Sequence, residues 1–193
     1  SQSNKFHAIP LARSNRSSEK PMALIHVGRL EEGKGQRDAL QVVAKLKNMG
    51  VSAKITFFGD GPDREKLETL AKLLKIRESV LFMGDIESPY RYFSEFDAFV
   101  FPSYGEGLCN AMIEALYSGI QCFVYKNTVF PELRSLGLEF QMFDTGSIEE
   151  MTIALKKLST KKENPPLIEN REIINQKFSF VSLSSTFFNL SLP

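Results

Sequence analysis

Two acidic and two basic side chains carry the chemistry that this sequence suggests. Glu106 and Glu114 stand in the stretch FPSYGEGLCNAMIEALYSG, which runs from Phe101 to Gly119. The stretch leaves an apolar run, Ala98-Phe99-Val100-Phe101, and turns polar through Pro102-Ser103-Tyr104-Gly105. Helical spacing follows from about Leu108 to Tyr117, with a stop at Gly119. A helix start fed by a glycine-flanked turn offers free N–H groups and a positive dipole end, and so suits phosphate. A carboxylate beside an anion site needs another reason to be there, and hydrogen bonding to sugar hydroxyls is one. Glu114 falls among Ala111, Met112, Ala115 and Leu116, where an acid is rare without a partner. A ribose diol would be a suitable partner, because a carboxylate accepts from both hydroxyls. Asn110 is a poor interior helix residue but a good polar contact. The competing reading is a surface turn acid and a helix acid with no ligand, and spacing alone does not choose between them.

The basic pair lies in Gly28-Arg29-Leu30-Glu31-Glu32-Gly33-Lys34-Gly35. This loop nearly matches the phosphate loop of nucleoside triphosphatases, G-x-x-x-x-G-K-[ST]. The match fails at Gly35, which has no hydroxyl for Mg²⁺. Glycines for close backbone approach and two cations still suit an anion. A cation at a helix N-terminus costs about 0.3–1 kcal/mol unless an anion shares the site, so Lys34 is better explained by a ligand phosphate than by helix stability. The competing reading is a solvated turn. Val80-Leu81-Phe82-Met83-Gly84 reads mainly as core strand, and Gly84-Asp85 at its end could admit a flat base. Cys109 reads as a packing residue rather than a nucleophile. The Lys66, Lys72, Lys75, Glu65 and Glu68 charges read as a solvated helix face.

These loops need elements to position them. Strands are expected at Met22–Val27, Ala53–Phe58, Ser79–Met83, Ala98–Phe101, Gln121–Tyr125 and Glu139–Phe143. Helices are expected at Lys34–Met49 with Gly50 as stop, Asp63–Leu74 after Pro62, Tyr90–Glu95 and Pro131–Leu136. A further helix is expected from a Ser147 cap to about Leu158. Alternating strand and helix implies right-handed βαβ units, hence an α/β chain: a single Rossmann-like domain with a parallel sheet of about six strands and helices on both faces. The ligand would lie at the carboxyl ends of the strands, where the loops after Val27 and Phe101 emerge. Residues 1–20 read as a linker or cloning remnant without signal-peptide character, 21–160 as the Rossmann-like domain and 161–193 as a helical segment after the linker KKENPP. The aromatics of that segment should pack on this or another domain. The chain has 193 residues, 42% hydrophobic, 24% charged and a net charge of +1, ordinary for a globular protein and without a nucleic-acid footprint. No apolar run is long enough to cross a membrane. Cys109 and Cys122 fit a reducing compartment, and no Cys/His cluster has metal spacing. His7 and His26 are the only histidines, which speaks against a histidine triad while leaving His26 open.

The ordered motifs H-V-G-R-L-E-E-G-K-G (26–35), V-L-F-M-G (80–84) and P-S-Y-G-E-G-L-C-N-A-M-I-E-A (102–115) resemble those of a known family. That family is the GT-B glycosyltransferases of the GT4 type, glycosyl transferases group 1, in their C-terminal, donor-binding half. Glu106 and Glu114 match its E-x7-E motif. F-G-D-G-P at 58–62 and Pro131-Glu132 also fit, and the resemblance covers about residues 21–158. It implies that Arg29 and Lys34, with Gly28 beside them, bind the donor diphosphate and stabilise it as leaving group. It implies that Glu106 contacts the transferred sugar near the N–H groups of Gly107 and Leu108, that Glu114 binds ribose, and that Phe82 and Gly84 border the base. The implied reaction is transfer of a sugar from a nucleoside-diphosphate sugar with retention, without cofactor or metal. The resemblance also implies that the acceptor is held by a separate N-terminal domain, expected to be absent from this chain. Membrane contact would come only through that half or a lipid-linked acceptor. The implied location is cytoplasmic, and family habit points to polysaccharide biosynthesis. Lys126 to Phe130 lacks the glycines often seen before Pro-Glu, so no donor contact is assigned there. Two alternatives stand beside this reading: a non-catalytic nucleotide-sugar-binding or interaction module, and a nucleotide-sugar epimerase.

Overall fold

Apolar residues alternate sides along a strand, so a strand buried on both faces feeds two separate cores. The computed structural model, which describes residues 9–12, 20–105, 110–161, 163 and 165–177, shows this division. Six strands, β1 (Met22–Val27), β2 (Ala53–Phe58), β3 (Val80–Gly84), β4 (Ala98–Phe101), β5 (Gln121–Tyr125) and β6 (Gln141–Phe143), form one sheet in the order β3-β2-β1-β4-β5-β6. Every adjacent pair is parallel. Met22 and Leu24 of β1 face one core, with Phe57, Phe123 and Tyr125. Three helices cover it: α1 (Gln36–Asn48), α2 (Arg64–Leu73) and, later in the chain, α5 (Ile148–Ser159), through Leu40, Leu67 and Leu155 among others. Ile25 and Val27 face the other core, with Phe99, Phe101 and Val124. The covering elements there are the 3-10 turn Pro89–Glu95, α3 (Asn110–Ser118), α4 (Phe130–Ser135) and α6 (Ile168–Lys177). The expected α/β architecture is therefore present, with strands and helices in the expected order.

Differences at the element ends have local causes. The helix expected from Lys34 starts at Gln36, because Gly35 sits in the left-handed region at φ 77° and turns the chain into the helix. Ser147 precedes α5 as expected, but its side chain makes no capping bond; its carbonyl accepts from the Met151 N–H at 3.1 Å. The last strand begins at Gln141 rather than Glu139. The Asn170 side chain takes both backbone groups of Glu139, accepting from its N–H at 2.7 Å and donating to its carbonyl at 2.8 Å. Asn170 is wholly buried, and its amide replaces a ladder partner. The terminal segment supplies α6, which packs on α3: the Arg171 guanidinium lies 4.5 Å over the Tyr117 ring and donates to the Tyr117 and Ile9 carbonyls. The expected aromatic run after Lys177, and the helix start at Leu108 and Cys109, lie outside the described residues.

Candidate functional site

The order of strands reverses at β1, which has β2 on one side and β4 on the other. The chain leaves β1 and β4 in opposite directions, which opens a crevice at their carboxyl ends. The loop 28–35 leaves β1 there, and 102–105 leaves β4. A cleft of about 530 Å³ opens on the β2 side, lined by Gly28, Arg29, Asp60, Asp85 and Ile86 among others.

The basic loop is held at several backbone points. The Gly28 N–H donates to the Phe58 carbonyl at 2.9 Å and the Leu30 N–H to the Asp60 carbonyl at 3.0 Å. The buried Gln36 side chain donates to the Arg29 carbonyl at 2.7 Å. A β-carbon on Gly59 would stand 2.1 Å from the Gly28 carbonyl oxygen, so glycine permits the contact between the two loops. Lys34 is half-buried, and its carbonyl lies 3.0 Å from His26 Nε2. A carbonyl only accepts, so Nε2 carries the proton. His26 is wholly buried against Phe57 and Phe101, and burial lowers its pKa to about 4, so it is neutral at physiological pH. Sealed in this way, it supports Lys34 from below and does not reach the cleft as an acid or base. His7 lies outside the described residues.

Arg29 is largely exposed, at 68%, and pairs with Glu31 at 3.0 Å. An exposed pair of this kind contributes about 0–1 kcal/mol, less than a charge-assisted bond to an anion, so Glu31 does not withhold Arg29 from a ligand. Gly35 meets the second loop. A β-carbon there would stand 1.9 Å from the Pro102 carbonyl oxygen. The position at which a triphosphatase loop carries its hydroxyl is thus closed by backbone, a physical reason for the failed motif. Pro102 and Ser103 are buried, and the Ser103 hydroxyl and Tyr104 N–H both donate to the Gly33 carbonyl, at 3.2 and 2.9 Å.

The acids fall differently. Glu114 is 4% exposed in α3, between Ile113 and Ala115, as its apolar surroundings in the sequence predict. Asn110, at the start of the same helix, is exposed. Glu106, Gly107 and Leu108 lie outside the described residues. Gly84 stands at the cleft's edge, its carbonyl accepting from the Gly59 N–H at 2.7 Å. Phe82 is not brought to the cleft. Its ring packs into the core under α1 and α2, stacked 5.1 Å from Phe57, with the Arg64 guanidinium 5.8 Å above it, on the sheet face opposite Val27 and Phe58.

Asp38 had no place in the sequence reading. Its carboxylate accepts from the Tyr104 hydroxyl at 2.7 Å and the Tyr125 hydroxyl at 2.8 Å. Hydrogen bonding to Asp38, then burial, raises the Tyr104 pKa to about 12; burial, then the same carboxylate, raises that of Tyr125. Both phenols therefore stay protonated as donors. Asp38 lies one helical turn before Val42 on the apolar stripe of α1, the signal that singled out Glu114. Among the described residues, no group of three His, Cys, Asp or Glu side chains is gathered to hold a metal, and no helix is long and apolar enough to cross a membrane.

A parallel α/β sheet with a crevice at its switch point is a Rossmann-like architecture, one that the C-terminal domains of GT-B glycosyltransferases share. The chain matches the family model of glycosyl transferases group 1 over residues 10–177, and it belongs to that family. It is 32% identical over 116 residues to N-acetylgalactosamine-N,N'-diacetylbacillosaminyl-diphospho-undecaprenol 4-alpha-N-acetylgalactosaminyltransferase of Campylobacter jejuni, a match covering 58% of this chain and 31% of that protein. Its fold is similar to HepE of Anabaena, solved in complex with UDP and glucose, at a TM-score of 0.76 and 17% identity, covering 89% of this chain and 48% of HepE. It is also similar to the isolated C-terminal domain of the group 1 glycosyl transferase LpcC from Francisella tularensis, at a TM-score of 0.68 and 18% identity, covering 91% of this chain and 98% of that one. The chain thus spans about a third of the curated relative's length and nearly all of a solved C-terminal domain.

Proposed function

We propose that this chain is the donor-binding domain of a retaining, GT4-type glycosyltransferase that moves a sugar from a nucleoside-diphosphate sugar to an acceptor held by a separate N-terminal domain. One observation carries the proposal. The loop bearing Arg29 and Lys34 is joined at Gly33 and Gly35 to the loop that leads into the Glu106–Glu114 motif, at the carboxyl ends of β1 and β4. The diphosphate is then taken by Arg29 and Lys34 over Gly28, the sugar by Glu106 with the Gly107 and Leu108 amides, and the ribose by Glu114 with Asn110 nearby. The base lies against the end of β3 at Gly84. Positive side chains, in place of a metal, stabilise the charge that grows on the departing diphosphate, and loss of one such group costs about 10²–10³ in rate. The sugar-linked diphospho-lipid acceptor in the Campylobacter relative's name supports a similar lipid-linked acceptor, polysaccharide biosynthesis and action at the cytoplasmic membrane surface.

Titration calorimetry with UDP, GDP and ADP tests the reading. One of the three should bind, and Lys34→Glu should abolish that binding. A folded chain that binds none of them refutes the donor-site reading. Unchanged affinity in Lys34→Glu removes Lys34 from the site.

A further inference from the structure

We propose that Asp38 and Tyr104 are positioning residues that clamp the 102–105 loop onto the basic loop and thereby set the spacing of the donor site. The inference rests on the donor-site reading given above. Four observations on different atoms converge on it. Tyr104 is half exposed, at 51%, yet its hydroxyl is tied to Asp38, which is only 6% exposed. An exposed phenol gains little by reaching inward unless the reach fixes its backbone. The Tyr104 N–H, on the other side of the same residue, donates to the Gly33 carbonyl. The Ser103 hydroxyl lies 3.2 Å from both that carbonyl and the Gly105 carbonyl, between the two loops. Gly35 touches the Pro102 backbone directly below.

Asp38 is itself held from a third element. The Tyr125 hydroxyl of β5 bonds the same carboxylate oxygen, and the Tyr104 and Tyr125 rings meet edge to face with centroids 5.8 Å apart. One carboxylate thus links α1, the loop after β4 and the end of β5. α1 begins directly after the basic loop, so whatever fixes Asp38 against Tyr104 fixes Gly33 and Lys34 against residue 105. Glu106 follows residue 105 in the chain. Neither Asp38 nor Tyr104 needs to touch the donor to do this.

Tyr104→Phe removes one hydroxyl and keeps the ring against Tyr125. Nucleotide titration and amide hydrogen exchange on this variant, beside Asn170→Ala as a control whose side chain bonds Glu139 and neither loop, test the clamp. Tyr104→Phe should bind the preferred nucleotide of the UDP, GDP and ADP panel about five- to tenfold more weakly, a part of the loss of one charge-assisted bond, the rest of which lowers the stability of the free domain. Its residue 104 amide should also exchange faster. Asn170→Ala should lower the melting temperature and leave affinity unchanged. Wild-type affinity in a folded Tyr104→Phe, or an equal loss of affinity in Asn170→Ala, overturns the proposal. If the wild-type chain binds none of the three nucleotides, the donor reading fails and exchange decides the clamp. Faster exchange at residue 104 upholds it, and unchanged protection overturns it.

Discussion

At the scale of single residues, His26 shows how burial decides a side chain's use. Its ring is enclosed by Phe57 and Phe101, Nδ1 has no hydrogen-bond partner among the described residues, and Nε2 donates to the Lys34 carbonyl. Burial, with a smaller contribution from the Lys34 charge, lowers its pKa from 6.5 to about 4, against the raising effect of the Lys34 carbonyl bond. The unfolded chain therefore takes up the proton first as pH falls. The histidine's contribution is fully present above about pH 6.5 and is lost between there and pH 4, amounting to about 3 kcal/mol. Denaturant melts at pH 7 and pH 4.5 check this: His26→Gln should lose markedly less stability between the two than the wild type. Equal losses would assign the acid sensitivity elsewhere. Glu114 and Asp38 show what the sequence allowed at this scale. Both acids lie on apolar helix stripes, and that test found Glu114. Asp38 drew no reading, because its phenol partners lie 66 and 87 residues away.

At the scale of elements, apolar runs such as MALIHV and AFVF mark β1 and β4 because strands buried on both faces tolerate little else. The ends were less legible wherever a side chain from far along the chain intervened. Asn170 shortens β6 from 31 residues away, and nothing near Glu139 announces it. Gly35 was legible as the place where the triphosphatase motif fails; its φ of 77° and the Pro102 carbonyl supply the physical reason. Gly35→Ala should therefore cost at least about 2 kcal/mol, from the left-handed backbone alone about 1–2 and more from the contact with Pro102. Because the two loops must part to admit the methyl group, nucleotide affinity should fall with it. Urea melts combined with titration check both; wild-type stability would mean that the loops move apart freely.

At the scale of the whole molecule, the two-faced sheet was legible from periodicity and alternation, whereas the fit of one loop to another was not. Local pattern carries strand and helix, but the tie from Ser103 to Gly33 joins positions 70 residues apart and has no local trace. Phe82 shows the converse: the resemblance implied a place beside the base, while strand parity turns the ring toward the core under α1 and α2, in line with V-L-F-M-G read mainly as core strand.

The contact between Gly35 and Pro102 has one more consequence, in the linkage between ligand and folding. Neither loop makes the proposed donor site by itself, so a molecule unfolded in either half would have nothing left to bind with. A nucleotide that recognises only the assembled state draws the whole folding equilibrium with it, by about 2.7 kcal/mol at a hundredfold excess over its dissociation constant. For a domain of this size, that corresponds to a rise of roughly 5–10 °C in melting temperature. Thermal scans with increasing UDP, GDP or ADP should show that rise for the nucleotide that binds. A bound nucleotide that left the melting temperature unchanged would mean that the site survives in the unfolded chain, contrary to its assembly from two distant loops.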